Sequence, residues 1–178
     1  MGSLQWASDG VVRTVTQQQI FPHEDYDTRT RENDIALMKL QDCVTSSATI
    51  LPIALASRNS LYEGAEATAS GWGTTSDSSA SSSTNMHKIV IPVLSNRVCR
   101  SRSLNGIRIF NSMLCAGTDA LTLCTGDSGG PLAFFENDGT ATLIGVTSFG
   151  LSSCDEPAVY SRVTEHEDWI AGVMRDNS

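Results

Sequence analysis

The run Cys124-Thr125-Gly126-Asp127-Ser128-Gly129-Gly130-Pro131-Leu132 constrains this chain more than any other stretch of it. A serine flanked by glycines sits on a tight turn, because glycine adopts backbone angles closed to other residues. There the hydroxyl is exposed, and backbone N–H groups converge where a developing oxyanion would lie. A bare Gly-x-Ser-x-Gly is a weak signal, since Gly-rich surface turns are common. The longer string is far more specific. Gly129-Gly130-Pro131 also forbids a helix directly after the serine and leads into the strand-like residues 131–135.

That last point separates two architectures. Gly-x-Ser-x-Gly also marks the nucleophile turn of α/β-hydrolases, in which Asp and then His follow the serine. Asp155 and His166 do follow Ser128. That fold needs a helix after the serine and alternating helices before it, and this sequence offers neither. It offers short runs with strand character instead, at residues 11–20, 35–40, 88–94, 131–135 and 143–149. Asn137-Asp138-Gly139 supplies turn chemistry for a hairpin between the last two. Residues 74–85 are dominated by Ser and Thr and read as an exposed loop. One helix is expected, over residues 164–175. Thr164-Glu165-His166-Glu167 has a capping-box pattern, and Trp169, Ile170, Val173 and Met174 follow at helical spacing. Many short strands with one terminal helix predict an all-β barrel or sandwich.

Bulk properties exclude several functions. Hydrophobic residues make up 40% of the chain and charged ones 18%, enough to build a core and too few charges for a disordered chain. A net charge of −8 without a Lys/Arg block argues against nucleic-acid or anionic-membrane partners. No apolar run is long enough to span a bilayer. Cys43, Cys99, Cys115, Cys124 and Cys154 lack zinc-site spacing, so no metal is expected, and no cofactor. Their wide spacing suits disulfides in an oxidising compartment, with one thiol left over.

Taken together, the blocks resemble the chymotrypsin-like (trypsin family) serine proteases. The resemblance runs over nearly the whole chain, in order. It includes Asn33-Asp34-Ile35-Ala36-Leu37, Ser70-Gly71-Trp72-Gly73, Cys115-Ala116-Gly117, the Ser128 string, Ser148-Phe149-Gly150 and Val159-Tyr160-Ser161-Arg162-Val163. It implies an all-β double barrel with a C-terminal helix. Residues 1–65 would be a remnant of the first barrel and residues 66–163 the second. It implies that Ser128 is the nucleophile and Asp34 the acid orienting a catalytic imidazole. The N–H groups of Gly126 and Ser128 would form the oxyanion hole. Asp127 resembles the residue that pairs with a freed terminal amine on activation. Cys99–Cys115 and Cys124–Cys154 would be disulfides, leaving Cys43 without a partner. The resemblance also implies a secreted, monomeric enzyme acting on protein or peptide substrates and open to protein inhibitors.

The family's histidine stands in an Ala-Ala-His-Cys setting before the aspartate, and no such string occurs here. His23, His87 and His166 read as solvated or structural. The chain therefore looks like the family domain without its N-terminal part, and made alone it is expected to be poorly soluble and inactive. The resemblance places Thr122 on the floor of the primary pocket, Gly150 on its wall and Ala158 as a second floor residue. Ser148, Phe149 and Gly150 would line the substrate. Thr122 brings no charge and Leu123 adds apolar surface, so aromatic or bulky apolar residues before the cut are expected. Asp155 and Glu156 nearby leave a weak basic preference open. The competing function is a non-catalytic homologue that serves as a binding or regulatory module.

Overall fold

The computed structural model describes residues 1–178 apart from 7–9, 59, 80, 103–106, 120–123 and 151–153. The fold is mostly β. Its main sheet runs from β3 (Ala54–Leu55) and β4 (Glu66–Gly71) through β5 (His87–Leu94), β6 (Met113–Ala116), β7 (Pro131–Phe135), β8 (Ala141–Gly150) and β9 (Ala158–Arg162). Their spatial order is β3-β8-β7-β4-β5-β6-β9, and β8 pairs with β9 as well. That additional pairing closes β4 to β9 into a six-stranded antiparallel barrel. Closure pairs every barrel strand on both sides, with the end of β8 beyond Thr147 left uncovered on its β7 side among the described residues. The length of β8 makes it possible. Ala141–Val146 pairs with β7, and Gly145–Gly150 pairs with β9.

Alternation along the strands sorts side chains into two cores. In β6, Leu114 and Ala116 point into the barrel, with Ile91, Val93, Leu132, Ile144 and Tyr160. Met113 and Cys115 point outward to Cys99, Ile109, Phe149 and Val159, beneath α1 (Asn96–Arg102). The Cys99–Cys115 disulfide ties α1 to β6, and Cys124–Cys154 joins the serine turn to the segment before β9. The hairpin between β7 and β8 forms as expected, with Gly139 at φ 85 and its N–H on the Glu136 carbonyl. Among the described residues, β1 (Ile20–Pro22) and β2 (Ala36–Met38) form a separate two-stranded ribbon.

Three local expectations need correction. Residues 11–20 are not a strand; a 3-10 turn occupies Gln17–Gln19 and the strand starts only at Ile20. β2 offers just three partners, so the alternating run upstream has nothing to pair with. The Thr164 capping box does not form either. Thr164 is buried in a 3-10 turn, Val163–Glu165, and α2 (Glu167–Asp176) begins after His166 without a side-chain cap. Of the expected apolar face of α2, Ile170 is buried whereas Met174 is exposed.

Candidate active site

The Ser128 turn is held from both sides. Gly129 donates its N–H to the Thr147 carbonyl at 2.9 Å, and Thr147 returns its N–H to the Gly130 carbonyl at 2.9 Å. The Thr147 hydroxyl adds a bond to the same carbonyl at 3.1 Å. Gly126 has φ +99, and a Cβ there would meet Gly73 Cα at 3.1 Å, so the turn needs glycine for both angle and space. Ser128 itself is exposed. The N–H groups of Gly126 and Ser128 have no acceptor among the described residues. Two unengaged donors flanking an exposed hydroxyl are what oxyanion stabilisation requires.

Asp127, 8% exposed, anchors the turn from beneath. Its carboxylate accepts the N–H of Gly73 at 2.9 Å and of Cys124 at 3.1 Å. A Cβ on Gly71 would lie 2.0 Å from the Asp127 carboxylate, which explains glycine on the far side of that contact. The Met1 amine is elsewhere, on the Val11 carbonyl at 2.7 Å. Tyr160 places its buried hydroxyl near Asp127 and finds no partner for it among the described residues. Burial, and secondarily the Asp127 charge, push that phenol far above its ordinary value.

Asp34 reaches the same place from the first part of the chain. Its Oδ2 accepts the Ser148 hydroxyl at 2.5 Å, and its backbone carbonyl accepts the Ser161 hydroxyl at 2.5 Å. Ser148 follows Thr147, which holds the serine turn. Consecutive residues of β8 thus hold the Ser128 turn and the Asp34 carboxylate. Ser161 enters the sequence reading only as part of the block at residues 159–163, with no role given to it; in the structure it is buried, 3% exposed. The loop before Asp34 is bent by left-handed residues, Arg31 at φ 58 and Asn33 at φ 57.

The three histidines stand off this point. His87 is exposed, with Nε2 3.0 Å from the Ser83 hydroxyl. His23 stacks on Trp169 at 4.7 Å and meets His166 edge-on at 5.6 Å. His166 is 2% exposed. Its Nδ1 lies 2.7 Å from the Arg162 carbonyl and its Nε2 3.3 Å from Asn33 Oδ1. The Asn33 amide nitrogen donates to the Asp25 carbonyl, so its oxygen does face the ring. Both ring nitrogens therefore meet acceptors, and a neutral imidazole with one N–H satisfies only one of them. Burial, the largest influence, still holds His166 below its ordinary value, with His23 adding to the effect; the Arg162 carbonyl and Glu165 oppose it.

Around the pocket expected for the substrate side chain, Gly150 is exposed and Ala158 buried, and the two are cross-strand partners. Thr122 and Leu123 lie outside the described residues. Phe149 packs into the outer core. Cys43 is an exposed free thiol. The Asp77 carboxylate approaches Cys124 and Cys154, but both thiols are committed to their disulfide, so the group does not fit a metal. No helix among the described residues is long and apolar enough to cross a membrane.

The Trypsin family model matches residues 4–170. Trypsin beta of Drosophila erecta is 37% identical over 172 residues, covering 95% of this chain and 65% of its own length. Trypsin-1 of Astacus astacus is 35% identical over 167 residues, covering 92% and 69%. Trypsin delta of Drosophila melanogaster is 36% identical over 172 residues, covering 95% and 65%. The chain thus spans about two thirds of the length of these curated relatives. A closed barrel, a serine turn against β8, two disulfides and a family match over 4–170 agree with one another, and the chain belongs to the trypsin family.

Proposed function

We propose that the protein is a secreted serine endopeptidase in which Ser128 attacks the scissile carbonyl. The N–H groups of Gly126 and Ser128 receive the oxyanion, and Asp34 orients and stabilises the imidazolium of a histidine base. The observation that carries this reading is the Thr147-Ser148 pair on β8. Thr147 holds the serine turn, and Ser148 holds the Asp34 carboxylate. An acyl-enzyme forms when the serine oxygen bonds to the carbonyl carbon and the amine leaves with a proton; water then releases the acid. Both proton transfers need a base between Ser128 and Asp34. None of the described histidine contacts reaches either residue, so these 178 residues alone turn peptides over far below a protease rate.

In a complete enzyme Asp127 would take the activating terminal amine, and the two backbone N–H bonds it already accepts would fix its direction. The domain would comprise a first-barrel part over residues 1–65 and the second barrel over 66–163. It would act as a monomer on protein or peptide substrates and be a target for protein inhibitors. Cleavage follows aromatic or bulky apolar residues, because Gly150 leaves the pocket wall open and Ala158 adds no charge.

The test is an organophosphonate probe applied to the protein purified from its source. Label on Ser128, lost in Ser128→Ala, is the expected result. Peptide binding without label would favour the second reading, a non-catalytic homologue, which the position of the three histidines supports. A library varied at the residue before the cut tests the pocket. Arg preferred above Phe or Leu would overturn the apolar reading and point to Glu156, whose buried Oε2 lacks a partner among the described residues.

A further inference from the structure

β7 covers one edge of β8 only as far as Val146, and Gly129 and Gly130 extend that cover to Thr147. Beyond Thr147 the same edge runs on through Ser148, Phe149 and the exposed Gly150, while β9 occupies the other side. Among the described residues nothing pairs with that stretch, and a strand edge left open beside Ser128 is a place where an extended peptide adds as one more strand. With the residue before the cut beside Ser128 and its side chain turned toward Gly150 and Ala158, the residues preceding it run along this edge past Phe149.

Arg31 stands at that spot. Its guanidinium carbon lies 4.7 Å from the centroid of the Phe149 ring, whose body is packed into the outer core. The left-handed backbone at Arg31 and a 2.7 Å bond from its N–H to the Asp27 carbonyl fix the loop that aims it. Nearby acids are engaged elsewhere. The Asp27 carboxylate takes the Arg29 guanidinium and the N–H groups of Arg29 and Thr30. Glu32 accepts the Ser112 hydroxyl at 3.5 Å. Among the described residues no carboxylate pairs with Arg31, although the chain carries a net charge of −8. Ring contact holds the cation in place without neutralising it.

We propose that Arg31 is a specificity-determining residue that selects peptides with an Asp or Glu side chain two to four residues before the cut. The proposal rests on the peptidase reading above. A carboxylate there forms a charge-assisted, forked contact with the guanidinium, which Gln cannot match and Lys repels.

The experiment immobilises the full chain and measures binding of product-like peptides ending in Phe, with Glu, Gln or Lys at each of those positions, by surface plasmon resonance. At low salt, Glu is expected to bind about three- to fivefold more tightly than Gln, as for a solvent-facing ion pair. The preference shrinks as ionic strength rises. It disappears in Arg31→Gln and is partly kept in Arg31→Lys, a graded response that loss of ring packing alone would not give. Equal affinity for Glu and Gln peptides, or an unchanged preference in Arg31→Gln, overturns the proposal and leaves the peptidase reading standing. Failure of every peptide to bind overturns both.

Discussion

The barrel from β4 to β9 and the chain ahead of it solve the burial problem differently. In the barrel, Leu114, Leu132, Ile144, Tyr160 and Val159 are almost wholly removed from water. Ahead of β4, Ala56 is the sole buried apolar side chain among the described residues. Leu4, Val12, Met38, Leu51 and Leu61 are each more than half exposed. The first region has a two-stranded ribbon, too small to be stable alone, whereas the barrel closes on itself. Yet Asp34 belongs to the first region and Ser128 to the second. The candidate site therefore draws on a closed barrel and on a region that packs against it through Ile35, Leu37 and Tyr62.

The largest expected effect tests that contrast directly. Leu132→Ala removes a fully buried side chain from the barrel and should cost about 2–5 kcal/mol. Met38→Ala on β2 trims a side chain 63% exposed and should stay within about 0.5 kcal/mol. Urea unfolding of both variants against the parent measures the difference. Losses of equal size would mean that the first region is buried in solution and that the comparison is wrong.

The boundary between the two regions also marks how far the sequence was legible. The Ser128 turn and the β7–β8 hairpin were readable because each depends on residues close in the chain and on glycine, whereas the two disulfide pairings came only from the family resemblance, because cysteine spacing does not fix connectivity. Residues 11–20 misled because alternation makes a strand only where a partner exists, and β2 supplies three residues. Thr164-x-x-Glu167 misled because its threonine is drawn into a 3-10 turn under the barrel. The partner of Asp34 was out of reach for another reason. Ser148 is 114 positions away, and only closure of the barrel puts its hydroxyl on the Asp34 carboxylate. Arg31 over Phe149 is likewise a contact across the two regions, with no local signature.

A smaller effect is expected where α2 meets the first region. Burial holds the His166 imidazole below its ordinary value of 6.5. The folded protein thus prefers the neutral ring more than the unfolded chain does. That contribution is complete above the unfolded value and is lost as pH falls through the folded one, because the unfolded state then binds the proton more readily. Stability should therefore decline on acidification from pH 7. His166→Gln, which does not titrate, should flatten that decline relative to the parent in thermal melts at successive pH values. The titratable groups facing the ring are His23, edge-on at 5.6 Å, and Glu165 on its own turn. Superimposable pH profiles for parent and variant would remove His166 from any role in coupling the regions.

The smallest effect belongs to the polar ties across the same boundary. Arg58 donates its N–H to Glu167 at 3.0 Å and its guanidinium to Asp168. Both charged side chains are more than half exposed, at 56% and 79%, so water competes for each partner and the entropy of fixing two long side chains offsets the attraction. Arg58→Ala should accordingly cost no more than about 0.5 kcal/mol and lose even that at high salt. The Lys39 ammonium on the Asn177 carbonyl is a tie of the same exposed kind. If Arg58→Ala instead cost about 2 kcal/mol, well beyond an exposed pair, the first region and α2 would have to unfold with the barrel as one unit. The alignment of Asp34 with Ser128 would then be set by global folding, not by local docking.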